Sequence, residues 1–184
     1  MPISDFGFRK FRLPSPAGWD TLCRMEYEPR RYEPERQRQG IAIFGFPLRI
    51  DPFFFVTAWL IGGRQEPLWM LVWVVVVLTG ILTHELGHAF AGRRLGLEPW
   101  IRLMAFGGMT GWMRPRPLTA GQQIFVSAAG PAVGISIGGA VLVAGLAGAF
   151  TGASPAVLRV LDFVVWVNLG WGVLNLLPIL PLDG

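Results

Sequence analysis

His84-Glu85-Leu86-Gly87-His88 contains the chain's two histidines, four positions apart, with a carboxylate beside the first. On a helix, positions i and i+4 share one face about a turn apart, so both imidazoles reach a single metal ion with Glu85 next to them. Two imidazoles at this spacing suit Zn²⁺, and the adjacent glutamate suits a general base. The bland alternative is a pair of ordinary helix histidines. It fits poorly here, because three ionisable side chains following the uncharged stretch Pro67 to Thr83 are expensive in an apolar setting and mark a functional site.

A catalytic zinc takes three protein ligands and keeps a fourth position open. With no third histidine, the candidates are the remote Cys23 and the downstream carboxylates Glu98, Asp162 and Asp183. Depth in a membrane separates them. His88 lies roughly 8 Å, at a helical rise, inside the face marked by Arg93 and Arg94. Asp162 falls at the opposite face and Glu98 in the loop beyond the arginines. Asp183 returns to the level of the histidines, after roughly 20 Å of helix from Asp162 to Asn175 and a stretch broken by Pro178 and Pro181. Its structural alternative is an Asp-Gly turn at a helix end. A site completed by Glu98 would instead indicate another class of membrane zinc peptidase.

The elements that must hold these residues are apolar. The 184 residues are 52% hydrophobic and 15% charged, far from an ordinary soluble domain. Half of the formal charges lie within residues 1–40, and none lies between Pro117 and Leu158. A mostly α membrane protein follows, with about four transmembrane segments and a short re-entrant β-hairpin or loop between the second and third. The first segment, Pro52 to Gly63, is short for a hydrocarbon core of roughly 30 Å. The second, Pro67 to Thr83, runs directly into His84. The Gly-rich stretch Glu98 to Arg116 is the hairpin or loop. The third segment lies within Pro117 to Leu158, broken at Gly130-Pro131, with a turn over Thr151 to Ala156. The last, Phe163 to Leu182, loses regular helix at its prolines. Gly138, Gly139, Gly145 and Gly148 read as helix contacts, and the eight Trp residues as interfacial anchors and lipid-facing bulk.

Residues 1–40 read as a polar arm on the aqueous side, residues 41–184 as the membrane core. Between them, Ile41 to Ile50 suits an interfacial strand or loop. No signal peptide is visible, so insertion falls to the later apolar segments. A net charge of +4 does not point to nucleic acid, since the arginines form no basic helix interleaved with exposed aromatics. It reads as topology. Arg93, Arg94, Arg102, Arg114 and Arg116 fall on one side with the arm, and only Arg64 and Arg159 on the other, which makes the first side cytoplasmic. The single cysteine excludes a disulfide framework.

The segment His84 to His88, together with Asn175-Leu-Leu-Pro178-Ile-Leu-Pro-Leu-Asp183-Gly184, resembles the paired motifs of the site-2 protease family, the intramembrane zinc metalloproteases. The resemblance extends from about Ile41 to Gly184 and includes Phe106-Gly107-Gly108 and Ala129-Gly130-Pro131. It implies His84, His88 and Asp183 as zinc ligands and Glu85 as catalytic base. Gly134 departs from the pattern, standing where many members carry Asn, and the chain ends at Asp-Gly where relatives usually continue, as a C-terminally truncated core would.

The expected reaction is metal-assisted peptide hydrolysis within transmembrane segments of membrane proteins. Zinc activates water and polarises the carbonyl, while Glu85 takes and returns the proton. Asn175 is read as holding the substrate or the oxyanion. The hairpin with Phe106, Gly107 and Gly108 is read as an edge onto which an extended substrate adds, a role the resemblance also suggests, or as an interfacial plug. The partners are then a transmembrane protein substrate and the bilayer of a cell's inner membrane, with the site near the cytoplasmic face. The alternative is a catalytically silent relative that binds membrane helices as a regulator or chaperone. Glu85 argues against it, because metal binding alone does not require that residue.

Overall fold

Four helices and four short strands make up residues 41–176, the part of the chain described by a computed structural model. The arm of residues 1–40 and the stretch carrying Asp183 lie outside the described residues. In chain order the elements are β1 (Ile41–Ile43), β2 (Phe46–Ile50), α1 (Pro52–Gly62), α2 (Pro67–Arg94), β3 (Pro99–Met104), β4 (Gly107–Trp112), α3 (Ala120–Leu146) and α4 (Pro155–Leu174).

Local chemistry sets the helix starts. Asp51 accepts from the Phe53 N–H ahead of Pro52, Thr119 and Gln122 close a reciprocal capping box, and Ser154 accepts from Val157 with Pro155 at the first helical position. Three helices, α2, α3 and α4, are long and apolar enough to cross a membrane. The first apolar segment is helical but has 11 residues, about 16 Å of rise.

Two segments differ from expectation. α3 runs unbroken through Gly130-Pro131. A proline inside a helix removes one donor, here the bond to the Ser127 carbonyl, and packing against neighbouring helices outweighs that loss. α4 starts at Pro155 and stops at Leu174, so Arg159 and Asp162 belong to it. Arg159 is accommodated at the helix end by lying 4.5 Å over the Trp69 ring and bonding Gln65.

The three long helices meet through glycines. A Cβ at Gly87 would come within 2.7 Å of the Ala129 carbonyl on α3, and one at Gly80 within 2.7 Å of Val167 on α4. Between α3 and α4, Gly138 abuts the Leu169 backbone and Gly134 the Asn168 carbonyl, at 3.0 and 3.1 Å on the same test. Of the four glycines read as helix contacts, Gly138 alone fills that role. Gly139 faces open space, Gly145 makes ordinary contact with Phe150, and Gly148 sits in a turn at φ 81°.

The strands form one sheet in the order β1-β2-β3-β4, with β2 and β3 parallel and the outer pairs antiparallel. Ile41 to Ile50 is a hairpin whose turn, Phe44-Gly45, takes the positive φ values that a two-residue connection needs. Glu98 to Arg116 supplies the second hairpin, β3–β4, with Ala105-Phe106 at its tip. Buried Phe46, Leu48, Ile101 and Leu103 join the apolar core with Leu86 and Ala89 of α2. One face of β4, Gly108, Thr110 and Trp112, lies along α2: Gly108 meets Glu85 and Trp112 meets Gly92. Seven helical residues rise roughly 10 Å and four strand residues roughly 13 Å, so β4 follows α2 in the same direction.

Candidate active site

The fully enclosed polar groups of α2 are the trio itself: His84, Glu85 and His88 are 2%, 4% and 5% exposed. Glu85 and His88 reach that burial because a neighbour lacks a side chain. A Cβ on Gly130 of α3 would collide with His88 Nε2, and one on Gly108 of β4 with the Glu85 side chain. The pair Gly130-Pro131 therefore clears space for an imidazole, and Gly108 clears space for a carboxylate. Gly107 serves a different neighbour, the Trp171 ring of α4.

The tautomer of His88 follows from one bond. Its Nδ1 lies 2.7 Å from the Val126 carbonyl, which only accepts, so Nδ1 carries the proton and Nε2 presents a lone pair. That Nε2 is 3.2 Å from Nε2 of His84, the rings meeting edge-on with centroids 4.9 Å apart. Two nitrogens held at about 2.0–2.1 Å from a tetrahedral zinc stand about 3.3 Å apart. The spacing of the pair matches that of two nitrogens on one zinc ion, and the His88–Val126 bond is the kind of outer support that aims a ligating imidazole.

The described residues hold no group of three His, Cys, Asp or Glu placed to share a metal. Glu98, the carboxylate of the rival reading, is half exposed and pairs with Arg114 at 3.3 Å. Asp162 lines a cleft with Leu146, Phe150 and Thr151 at the C-terminal end of α3. Asp183 lies outside the described residues.

Glu85 is held from β4. The Thr110 hydroxyl lies 2.7 Å from Glu85 Oε2 and 3.1 Å from the Glu85 backbone carbonyl. Beside the trio a cavity of about 610 Å³ opens between β4 and the first half of α3, lined by His88, Thr110 and Trp112 on one side and Gln123, Val126 and Ser127 on the other. A second cavity, of about 430 Å³, shares Gln123 and Ser127 and reaches Asn175. Asn175 is buried, its amide donating to the Trp171 carbonyl at 2.8 Å. Phe106, 87% exposed at the hairpin tip, borders the larger cavity.

Sequence reasoning passed over Thr110, Gln123, Ser127 and Asn168. Gln123 and Ser127 carried a signal, two polar residues a helical turn apart in an uncharged segment. Thr110 carried none, since threonine is ordinary in a strand. Asn168 is buried where the three long helices meet, facing Gly80, Gly134 and Gly138.

No protein-family model matches the chain. It is 36% identical over 135 residues to "Putative zinc metalloprotease Rip3" of Mycobacterium tuberculosis, and 26% identical over 158 residues to "Putative zinc metalloprotease sll0528" of Synechocystis. Those matches cover 70% and 78% of this chain but 31% and 41% of the relatives, so the chain spans less than half the length of the curated relatives it matches. Among solved structures it is similar to "Site-2 Protease from Methanocaldococcus jannaschii", with a TM-score of 0.59 and 24% identity over 78% of this chain and 66% of that one. At that identity the likeness is one of fold.

Proposed function

We propose that this chain, which resembles the site-2 protease family in its paired motifs, its sequence relatives and its fold, is the metal-bearing core of a zinc endopeptidase that cleaves membrane-spanning segments of other proteins. The enclosed trio carries the proposal: two Nε2 atoms 3.2 Å apart, with a buried carboxylate between the two histidines in sequence, on a helix apolar enough to cross a membrane. His84 and His88 hold the zinc, and Asp183 is its third ligand. When bound, zinc supplies Lewis acidity toward the scissile carbonyl and the hydrolytic water.

The chain's own residues do the rest. Glu85 takes a proton from the attacking water as its oxygen adds to the carbonyl carbon, then gives that proton to the amide nitrogen as the C–N bond breaks. β4 ends the described sheet, so its outer edge is where an extended substrate segment pairs main chain to main chain. A transmembrane helix buries its carbonyls in its own hydrogen bonds, and pairing with an edge exposes the bond to be cut. Phe106, Gly107 and Gly108 shape that edge, and Asn175 faces the substrate or its oxyanion from the second cavity. Arg93 and Arg94, in the last turn of α2 after the motif, support a site near the cytoplasmic face of a cell membrane.

The test is cleavage of a synthetic transmembrane peptide by the purified, zinc-loaded chain, beside Glu85→Gln. Cleavage by the native chain and none by the variant, at equal zinc content, is the expected result. Equal zinc with no Glu85-dependent cleavage sinks the proposal.

A further inference from the structure

The geometry points to Thr110 as a positioning residue for the general base: its hydroxyl holds the Glu85 carboxylate in place from the strand that borders the substrate cavity. The inference rests on the proteolytic reading of the trio and adds a residue to it.

Three observations converge on Thr110. Its Oγ1 is 2.7 Å from Glu85 Oε2, the short distance of a hydroxyl donating to a carboxylate. On the β4 face that lies along α2 the residues are Gly108, Thr110 and Trp112. Alternation along the strand makes Thr110 the one with a side-chain hydroxyl between a glycine and an indole. Gly108, two residues earlier on that face, leaves room only for the carboxylate itself, since any Cβ there would strike it. A glutamate on a helix has three side-chain torsions to settle. Here one wall is backbone and one oxygen is tied.

The structural alternative is that Thr110 merely fills a strand position and satisfies the Glu85 backbone carbonyl, 3.1 Å away. A hydroxyl has one proton to give, and the shorter contact is to the carboxylate. Thr110 also lines the larger cavity together with His88. The group that aims the base therefore sits on the strand where the substrate is expected to pair.

The test compares the zinc-loaded native chain with Thr110→Val, which keeps the shape, Thr110→Ala, and Thr110→Ser, which restores the hydroxyl. The expected result for Thr110→Val is a fall in kcat of about 10- to 100-fold, the scale of a catalytic group displaced by about 1 Å, with KM and zinc content unchanged and most of the rate recovered in Thr110→Ser. Native-like kcat in Thr110→Val overturns the inference. A raised KM at unchanged kcat makes Thr110 a substrate contact and overturns it too. Loss of zinc in both Val and Ala variants makes Thr110 a structural part of the metal site, which equally overturns its role as a positioner of the base.

A second readout does not require turnover. The Glu85 carboxylate stretch, identified in the infrared difference between native chain and Glu85→Gln, is expected to shift in Thr110→Val and to return in Thr110→Ser. An unshifted band overturns the inference even if the native chain is inert. Inertness of the native chain with a shifted band removes the proteolytic reading and leaves the hold on Glu85 intact.

Discussion

The two halves of α2 put the space around them to different use. Toward its start, large side chains fill space: Trp73 stacks edge-on with Phe163 at 5.2 Å and donates its indole N–H to the Ala58 carbonyl at 2.9 Å. Its ring occupies the place a Cβ of Gly62 would take. Toward the end of α2 the side chains for which neighbouring glycines make room are polar. Gly130 yields to His88, Gly108 to Glu85, and Gly87 of α2 lets the α3 backbone approach. In the first half packing serves stability. In the second, three polar groups are desolvated and aimed, which needs backbone close by and side chains absent.

The sharpest way to break the comparison is at the groups themselves. His88→Ala is expected to abolish cleavage and zinc retention together, measured by metal analysis and peptide hydrolysis. Glu85→Gln is expected to keep zinc while lowering the rate by about 10²- to 10⁴-fold, the usual worth of a general base. Next comes the space around them. Gly130→Ala puts a methyl group where His88 Nε2 lies, and a fall in zinc stoichiometry with folding retained is the expected outcome. Full zinc binding in that variant would show that the glycine cradle is dispensable. In the other half of α2, Trp73→Phe removes one buried hydrogen bond and should cost about 1 kcal/mol in a denaturation assay, with cleavage unchanged. The smallest effect separates two adjacent glycines of α3. Gly139→Ala, in open space, should be neutral or stabilising by up to about 1 kcal/mol. Gly138→Ala, pressed against Leu169, should lower thermal stability.

Much of this was legible from the chain alone. The spacing of His84, Glu85 and His88 was enough to propose a metal site. The apolar lengths marked the helices, and the glycines between Glu98 and Arg116 marked a hairpin. Local signals misplaced two boundaries. Pro131 reads as a break because its cost is local, whereas the packing that carries α3 past it comes from α2 and α4. Arg159 and Asp162 read as outside the last span because charge is disfavoured in lipid, but Trp69, Phe163 and Gln65 give Arg159 a place at the helix end. The ligand role of Asp183 remains a proposal drawn from depth and from the paired motif.

The sequence by itself determined which residues are able to do chemistry and which stretches avoid water, because residue type and helical period are properties of a few consecutive positions. Only the tertiary structure decided what those residues face. That Gly108 and Gly130 are cradles rather than turn formers, that Thr110 ties the Glu85 carboxylate, and that Val126 settles the tautomer of His88 all depend on contacts between elements distant in the chain. A glycine or a threonine looks the same in sequence whether it meets lipid or a carboxylate. Its neighbour across the fold decides its role.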